Sequence, residues 1–248
     1  MEQSTSGLGG MQSTNGYPSS HSVGVAQVHG ALTEQAWCLE PAYIVGGGPS
    51  LKGFDWKLLE GVPHVIAINR AFVDCPTAEI FFTEDARFIT RFAVEYPVAW
   101  KRFQGRKLWH CLNEGEIPEV MAVAPDVEII RKKREDKFWS YRFSDGLSYS
   151  SNSAVGAINI AHILQADPIY LLGIDCRTTG LRMENYHQDY RKDPMWEVGA
   201  NAADTFKGDM EGWVAPHVRD TKIISLINPV MPTALECWPK RTYLEHWA

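Results

Sequence analysis

A chain of 248 residues, 45% hydrophobic and 22% charged, is long enough to bury a sizeable core and too apolar to be disordered throughout. Its formal charge of -6 excludes a broad electrostatic footprint for nucleic acid, and the one basic run, Lys132-Lys133-Arg134, reads as a solvated loop. No run of about 18 apolar residues and no basic-then-apolar leader is present, so the sequence predicts no membrane span, no secretory signal and a place in the reducing cytoplasm.

From residue 1 to about 30 the chain is rich in Ser, Gly, Thr, Asn and Gln, which cannot bury enough surface to offset their ordering entropy. The sequence therefore predicts a flexible, low-complexity tail over 1–36 and a single folded domain over 37–248. Short β-rich runs follow at 42–46, 64–69, 79–83, 107–112, 127–131, 168–174 and 222–228. Between them lie helical stretches at 54–59, 86–103 and 153–165 and, less regular because of Gly199, Gly208 and Gly212, one at 194–218. Strand-like runs such as Ile169-Tyr170-Leu171-Leu172 are apolar on both faces, as a sheet covered by helices on both sides requires. The alternation predicts an α/β fold, a Rossmann-like, doubly wound, mostly parallel sheet. The five cysteines never form a C-x-x-C pair and suggest neither a disulfide framework nor a zinc site; Cys111 and Cys176, beside apolar runs, read as buried thiols.

In such a sheet ligands sit beyond the carboxyl ends of the strands, so the strand ends are the candidate site. Tyr43-Ile44-Val45 runs into Gly46-Gly47-Gly48-Pro49-Ser50, where residues without side chains let backbone N–H groups approach a phosphate or ribose. Asn69 and Arg70 close the second strand, where an amide and a planar guanidinium suit base or ribose, or else cap a turn and meet solvent. Thr83-Glu84-Asp85 places carboxylates at the same edge, for a metal ion, for an acceptor hydroxyl, or as a helix cap. Asn152 and Ser153, at the start of an Ala/Ile-rich helix, form an anion site opposite the glycine turn. Asp175 ends the strand 168–174. Beyond it lies Glu184-Asn185-Tyr186-His187-Gln188-Asp189-Tyr190, in which His187 is the best catalytic candidate.

The motifs Y-I-V-G-G-G-P-S-L-K, A-I-N-R-A-F, S-N-S-A-V-G-A-I-N-I-A, I-Y-L-L-G-I-D, Y-H and I-I-S-L-I-N-P, spread from about Ala42 to Leu235, resemble the bacterial lipo-oligosaccharide sialyltransferases. They look equally like the related 6-hydroxymethylpterin diphosphokinase-like family, whose members occur in phage and surface-glycan settings. For a phage-encoded member, the cytoplasm in question would be the host's. The resemblance implies that Gly46 to Ser50 and Asn69 contact a nucleotide and that Asn152 and Ser153 touch its sugar or phosphate. It further implies that Tyr186 and Tyr190 assist the departing phosphate and that His187 deprotonates the acceptor hydroxyl. The sialyltransferases carry Asn where this chain has Gly47, and again near Thr83, and the chain departs from them at both.

The expected activity is inverting transfer from a nucleotide-sugar donor, CMP-linked in the sialyltransferase branch, to a small-molecule or glycan acceptor. The alternative is magnesium-dependent pyrophosphoryl transfer with Asp85 and Asp175 as metal ligands. A third reading is a non-enzymatic nucleotide-binding or phage accessory protein. The sequence leaves the oligomeric state open, a homo-oligomer included.

Overall fold

The structure is a computed structural model, and it describes residues 32–150, 152–179, 182–183, 185–186 and 202–248. Among them one sheet of eight strands dominates, every pairing in it parallel, in the order β10-β9-β6-β1-β2-β3-β4-β5. β1 (Ala42–Val45), β2 (Val65–Ile68) and β3 (Ile80–Thr83) are buried at every residue, and β4 (Arg106–Cys111) at all but its first. β5 (Glu128–Arg131) closes one edge. β6 (Ile169–Leu172), β9 (Ile223–Ile227) and the edge strand β10 (Lys240–Thr242) extend the sheet on the other side of β1. β7 (Thr178–Thr179) and β8 (Arg182–Met183) form a separate antiparallel ribbon. This is the doubly wound α/β architecture that the alternation predicts.

Because successive strand residues face opposite sides, the apolar-on-both-faces runs feed two cores. Ile44, Ile66, Phe82 and Leu171 point into one, which is filled by α5 (Ser153–Ile163). Tyr43, Val45, Ala67, Phe81 and Trp109 point into the other, against α1 (Ala71–Asp74), α2 (Ala86–Glu95) and α3 (Pro97–Arg102). The sequence predicts one helix over 86–103; the chain breaks it at Tyr96, because Pro97 has no N–H to continue a helix and fits only its first turn. Two further elements escape the periodicity. α4 (Ile117–Val123) buries only Val120, and the polar strand β10 leads into α8 (Tyr243–Trp247), held by a Thr242–Glu245 capping box.

The compact unit runs from Leu32 to Ala248. A turn from Thr33 is pinned to the end of α5 by Gln35 N–H to Ile163 O (3.2 Å), Trp37 N–H to Leu164 O (2.9 Å) and Leu39 N–H to Gln165 O (3.0 Å). Trp37 is buried, stacks on His64 at 4.7 Å and donates its indole N–H to Glu79. The region expected as helix over 194–218 contains, among its described residues, α6 (Ala202–Asp209), a wide helical turn over Met210–Val214, and α7 (Ala215–His217). All five cysteines are free; Cys111 and Cys176 are buried as expected. The basic run is locally paired, Lys132 with Glu135 and Arg134 with Asp136.

Candidate functional site

The chain runs outward from β1 through β2, β3 and β4 to β5, then returns to lay β6 on the opposite side of β1. β1 and β6 therefore flank the switch point of the sheet, and ligands of open α/β sheets bind beyond the carboxyl ends of the strands around such a point. A cleft of about 690 Å³, its mouth included, lies there. Its wall holds Gly46, Gly47, Gly48 and Pro49 from the β1 turn, Asn69 and Arg70 after β2, Asn152 at the start of α5, and Asp175 after β6.

The β1 turn lies against the β6 turn with no room between them. Gly46 N–H donates to Leu172 O and Gly48 N–H to Gly173 O, both at 2.8 Å. A Cβ on Gly46 would stand 2.7 Å from Gly173 O, and one on Gly48 would fall on the Asp175 carboxylate. Gly173 itself sits at φ +64°, a left-handed conformation that side chains resist. Asp175 is 4% exposed and accepts the Ser50 backbone N–H at 2.7 Å, which fixes the far end of the glycine turn. Burial raises its carboxyl pKa, while the Ser50 hydrogen bonds and the nearby Arg177 act the other way.

Asn69 holds φ +53°, with its N–H on Phe82 O. Its side-chain Oδ1 is buried without a hydrogen-bond partner among the described residues. Asn152 caps α5 through Oδ1, which accepts Ala154 N–H at 2.8 Å, and its Nδ2 is likewise buried and unpartnered. One lining residue thus keeps a spare acceptor and another a spare donor, and the α5 N-terminus adds its positive dipole end.

Other expected site residues are put to different use. Ser50 and Ser153 do not line the cleft: Ser50 O accepts the Tyr243 hydroxyl at 2.8 Å, and Ser153 Oγ accepts Glu84 N–H at 3.2 Å. Asp85 caps α2 through Arg87 N–H and grips the Arg87 guanidinium with both oxygens, outside the cleft lining. Arg70 lines the cleft, but its guanidinium is paired with Asp74 and lies within 3.3 Å of the Tyr186 hydroxyl. That hydroxyl donates to Asp74 Oδ2 at 2.7 Å rather than standing free for a leaving phosphate, and burial first, then Asp74, raises its pKa. Tyr186 N–H bonds Gly47 O at 3.0 Å, so this residue braces the glycine turn. His187 and Tyr190 lie outside the described residues.

Sequence reasoning missed Arg177, Asn185 and Phe206 in the cleft wall, and Asp74 behind it. Asp74 was legible as the i+4 partner of Arg70 on one helical turn. Glu84, expected with Thr83 and Asp85 at this strand end, does not line the cleft and is buried beside His110 on β4, Oε1 to Nδ1 3.4 Å. Burial lifts the Glu84 carboxyl well above its ordinary range, and burial together with Lys132 brings His110 down to about 4. Both shifts favour the neutral form. In the unfolded chain the carboxyl ionises near 4.5, so the stability carried by its folded-state proton is whole below that pH and is lost as pH rises toward the folded value. Glu84→Gln copies the protonated acid and lacks this linkage. Its stability relative to wild type should therefore rise from pH 5 to pH 8, by on the order of 1 kcal/mol per pH unit at most, in denaturant unfolding. An equal difference at both pH values would mean that the carboxyl is ionised in the fold.

No family model matches the chain, and no curated protein sequence does. Among solved structures it is similar to the MAf glycosyltransferase from Magnetospirillum magneticum AMB-1, at 14% identity and a TM-score of 0.53. The match covers 86% of this chain and 35% of that one, and at this identity it is a likeness of fold.

Proposed function

We propose that the chain is a glycosyltransferase that takes a nucleotide-sugar donor in the cleft at the carboxyl ends of β1, β2 and β6. The observation that carries the reading is the cleft itself. Side-chain-free backbone at the switch point lies in one wall with two Asn amides, each keeping an unpartnered polar atom, and with the capped N-terminus of an 11-residue helix. Gly46 and Gly48 have spent their N–H groups on the β6 turn, so the recognition falls to Asn69 and Asn152, which meet donor and acceptor groups of base or ribose, while the α5 dipole favours the departing phosphate. Sugar transfer, among the chemistries a nucleotide site can serve, is supported by the sequence motifs and by the fold shared with a known glycosyltransferase. In this proposal the transfer is inverting, and His187, two residues past the cleft-lining Asn185, takes the acceptor proton.

A magnesium site at Asp85 does not fit its surroundings, since that carboxylate is held by its own helix and by Arg87. Thermal denaturation of the full chain with nucleotides and nucleotide sugars, with and without magnesium, tests the reading. A ligand at about 100 times its Kd adds about 2.7 kcal/mol, roughly 5–10 °C for a domain of this size. A rise with one nucleotide sugar, retained in chelator, is the expected result. A rise that needs magnesium would favour pyrophosphoryl transfer, and no rise with any nucleotide would overturn the nucleotide reading.

A further inference from the structure

Three described residues in the cleft wall carry formal charge, and two are already engaged: Arg70 is paired with Asp74, and the buried Asp175 accepts the Ser50 N–H. Arg177 differs. Its Nη1 donates to Pro232 O at 2.7 Å, and among the described residues no carboxylate lies within ion-pairing distance of its guanidinium. A guanidinium is always charged and carries five N–H donors in a planar fork, so Arg177 presents a cation whose donors are mostly unspent.

The segment that carries it is rigidly set. Cys176, just before it, is buried and holds φ +48°, a costly conformation for a residue with a side chain. It is imposed from the chain before β10: Thr233 Oγ donates to Ile174 O (3.0 Å) and Asp175 O (3.2 Å), and Ala234 N–H donates to Asp175 O (2.8 Å). The brace thus fixes the backbone from which Arg177 lines the cleft, so that part of the ordering is complete before any ligand arrives.

We infer that Arg177 is the residue that grips an anionic group, phosphate or carboxylate, of the ligand in this cleft. Arg70, neutralised by Asp74, serves to hold the wall. The inference rests on the nucleotide reading above for its main probe only, and the other probes separate the two.

The experiment measures Kd for the four ribonucleoside 5′-monophosphates, the matching nucleosides, inorganic phosphate and glucuronate, using wild type, Arg177→Gln and Arg177→Lys. Arg177→Gln should weaken the best monophosphate by about tenfold to a hundredfold, the range for a charged hydrogen bond, with nucleoside affinity and melting temperature unchanged. Arg177→Lys keeps the charge without the fork and should fall between. A larger loss on glucuronate than on monophosphate would assign the contact to a carboxylate. Wild type that binds phosphate or glucuronate but no nucleotide or nucleoside would sink the nucleotide reading and leave Arg177 to be judged on those two ions. Equal affinity of Arg177→Gln for every anion, an equal loss on uncharged nucleosides, or no anion bound by wild type would each overturn the assignment.

Discussion

Gly48→Ala should unseat the glycine turn, costing about 1–3 kcal/mol of stability and, with it, affinity for any nucleotide in the cleft. Gly48 has φ -68° and ψ 156°, which alanine adopts freely, so backbone strain plays no part. Space decides: the new methyl would fall on the Asp175 carboxylate and stand 2.7 Å from Gly173 O. Neither neighbour can yield cheaply. The carboxylate is buried and holds Ser50 N–H, and Gly173 O accepts Gly48 N–H across the β1–β6 junction. The turn itself must therefore move, which lengthens both hydrogen bonds and displaces the cleft wall that Gly46 to Pro49 form. Gly208→Ala is the control. Gly208 lies in α6 with open space where a Cβ would go, so alanine should stabilise the protein by about 0.5–1 kcal/mol. Thermal unfolding of both variants, with nucleotide titration of the first, checks the pair. A Gly48→Ala protein as stable and as nucleotide-competent as wild type would remove this contact from the site.

The parts of this site that could be read from sequence are those governed by strand ends. Once 42–46 and 168–174 are taken as buried parallel strands, Gly46–Pro49 and Asp175 must emerge at one edge, and the structure brings them together there with Asn69 and Asn152. What could not be read is how each polar side chain divides its hydrogen bonds between the protein and the cleft. Asp85 is a residue of suitable chemistry at a suitable strand end, yet Arg87 two positions on claims both its oxygens. Tyr186 lies near the cleft, but its hydroxyl belongs to Asp74 more than a hundred residues earlier, a pairing no local pattern announces. Arg177 shows the converse. Its setting depends on Pro232, Thr233 and Ala234, which periodicity treats as an undistinguished loop. The elements missed in the fold share this cause: β10 is a polar edge strand and α4 buries one residue, so neither carries an apolar repeat.

His187→Ala should lower turnover by about a hundredfold to ten-thousandfold, the range for loss of a general base, with nucleotide affinity left near that of wild type. The proposed base lies outside the described residues, but two residues that lead up to it in the chain are described. Asn185 lines the cleft, and Tyr186 is fastened at both ends, by its N–H to Gly47 O and by its hydroxyl to Asp74. The ring of Tyr186 also packs on Trp56, with centroids 5.4 Å apart. His187 directly follows this fastened residue in the chain. A base in that role acts on the acceptor hydroxyl only as the bond to the sugar forms, so its loss falls on the transition state and spares the donor complex. Steady-state turnover and nucleotide Kd, measured on wild type and His187→Ala with the donor that the thermal screen selects, separate the outcomes. Equal turnover would strip His187 of the role. Loss of nucleotide affinity with turnover at saturation unchanged would instead place the imidazole on the donor, because a group needed equally in ground and transition states raises KM and leaves kcat alone.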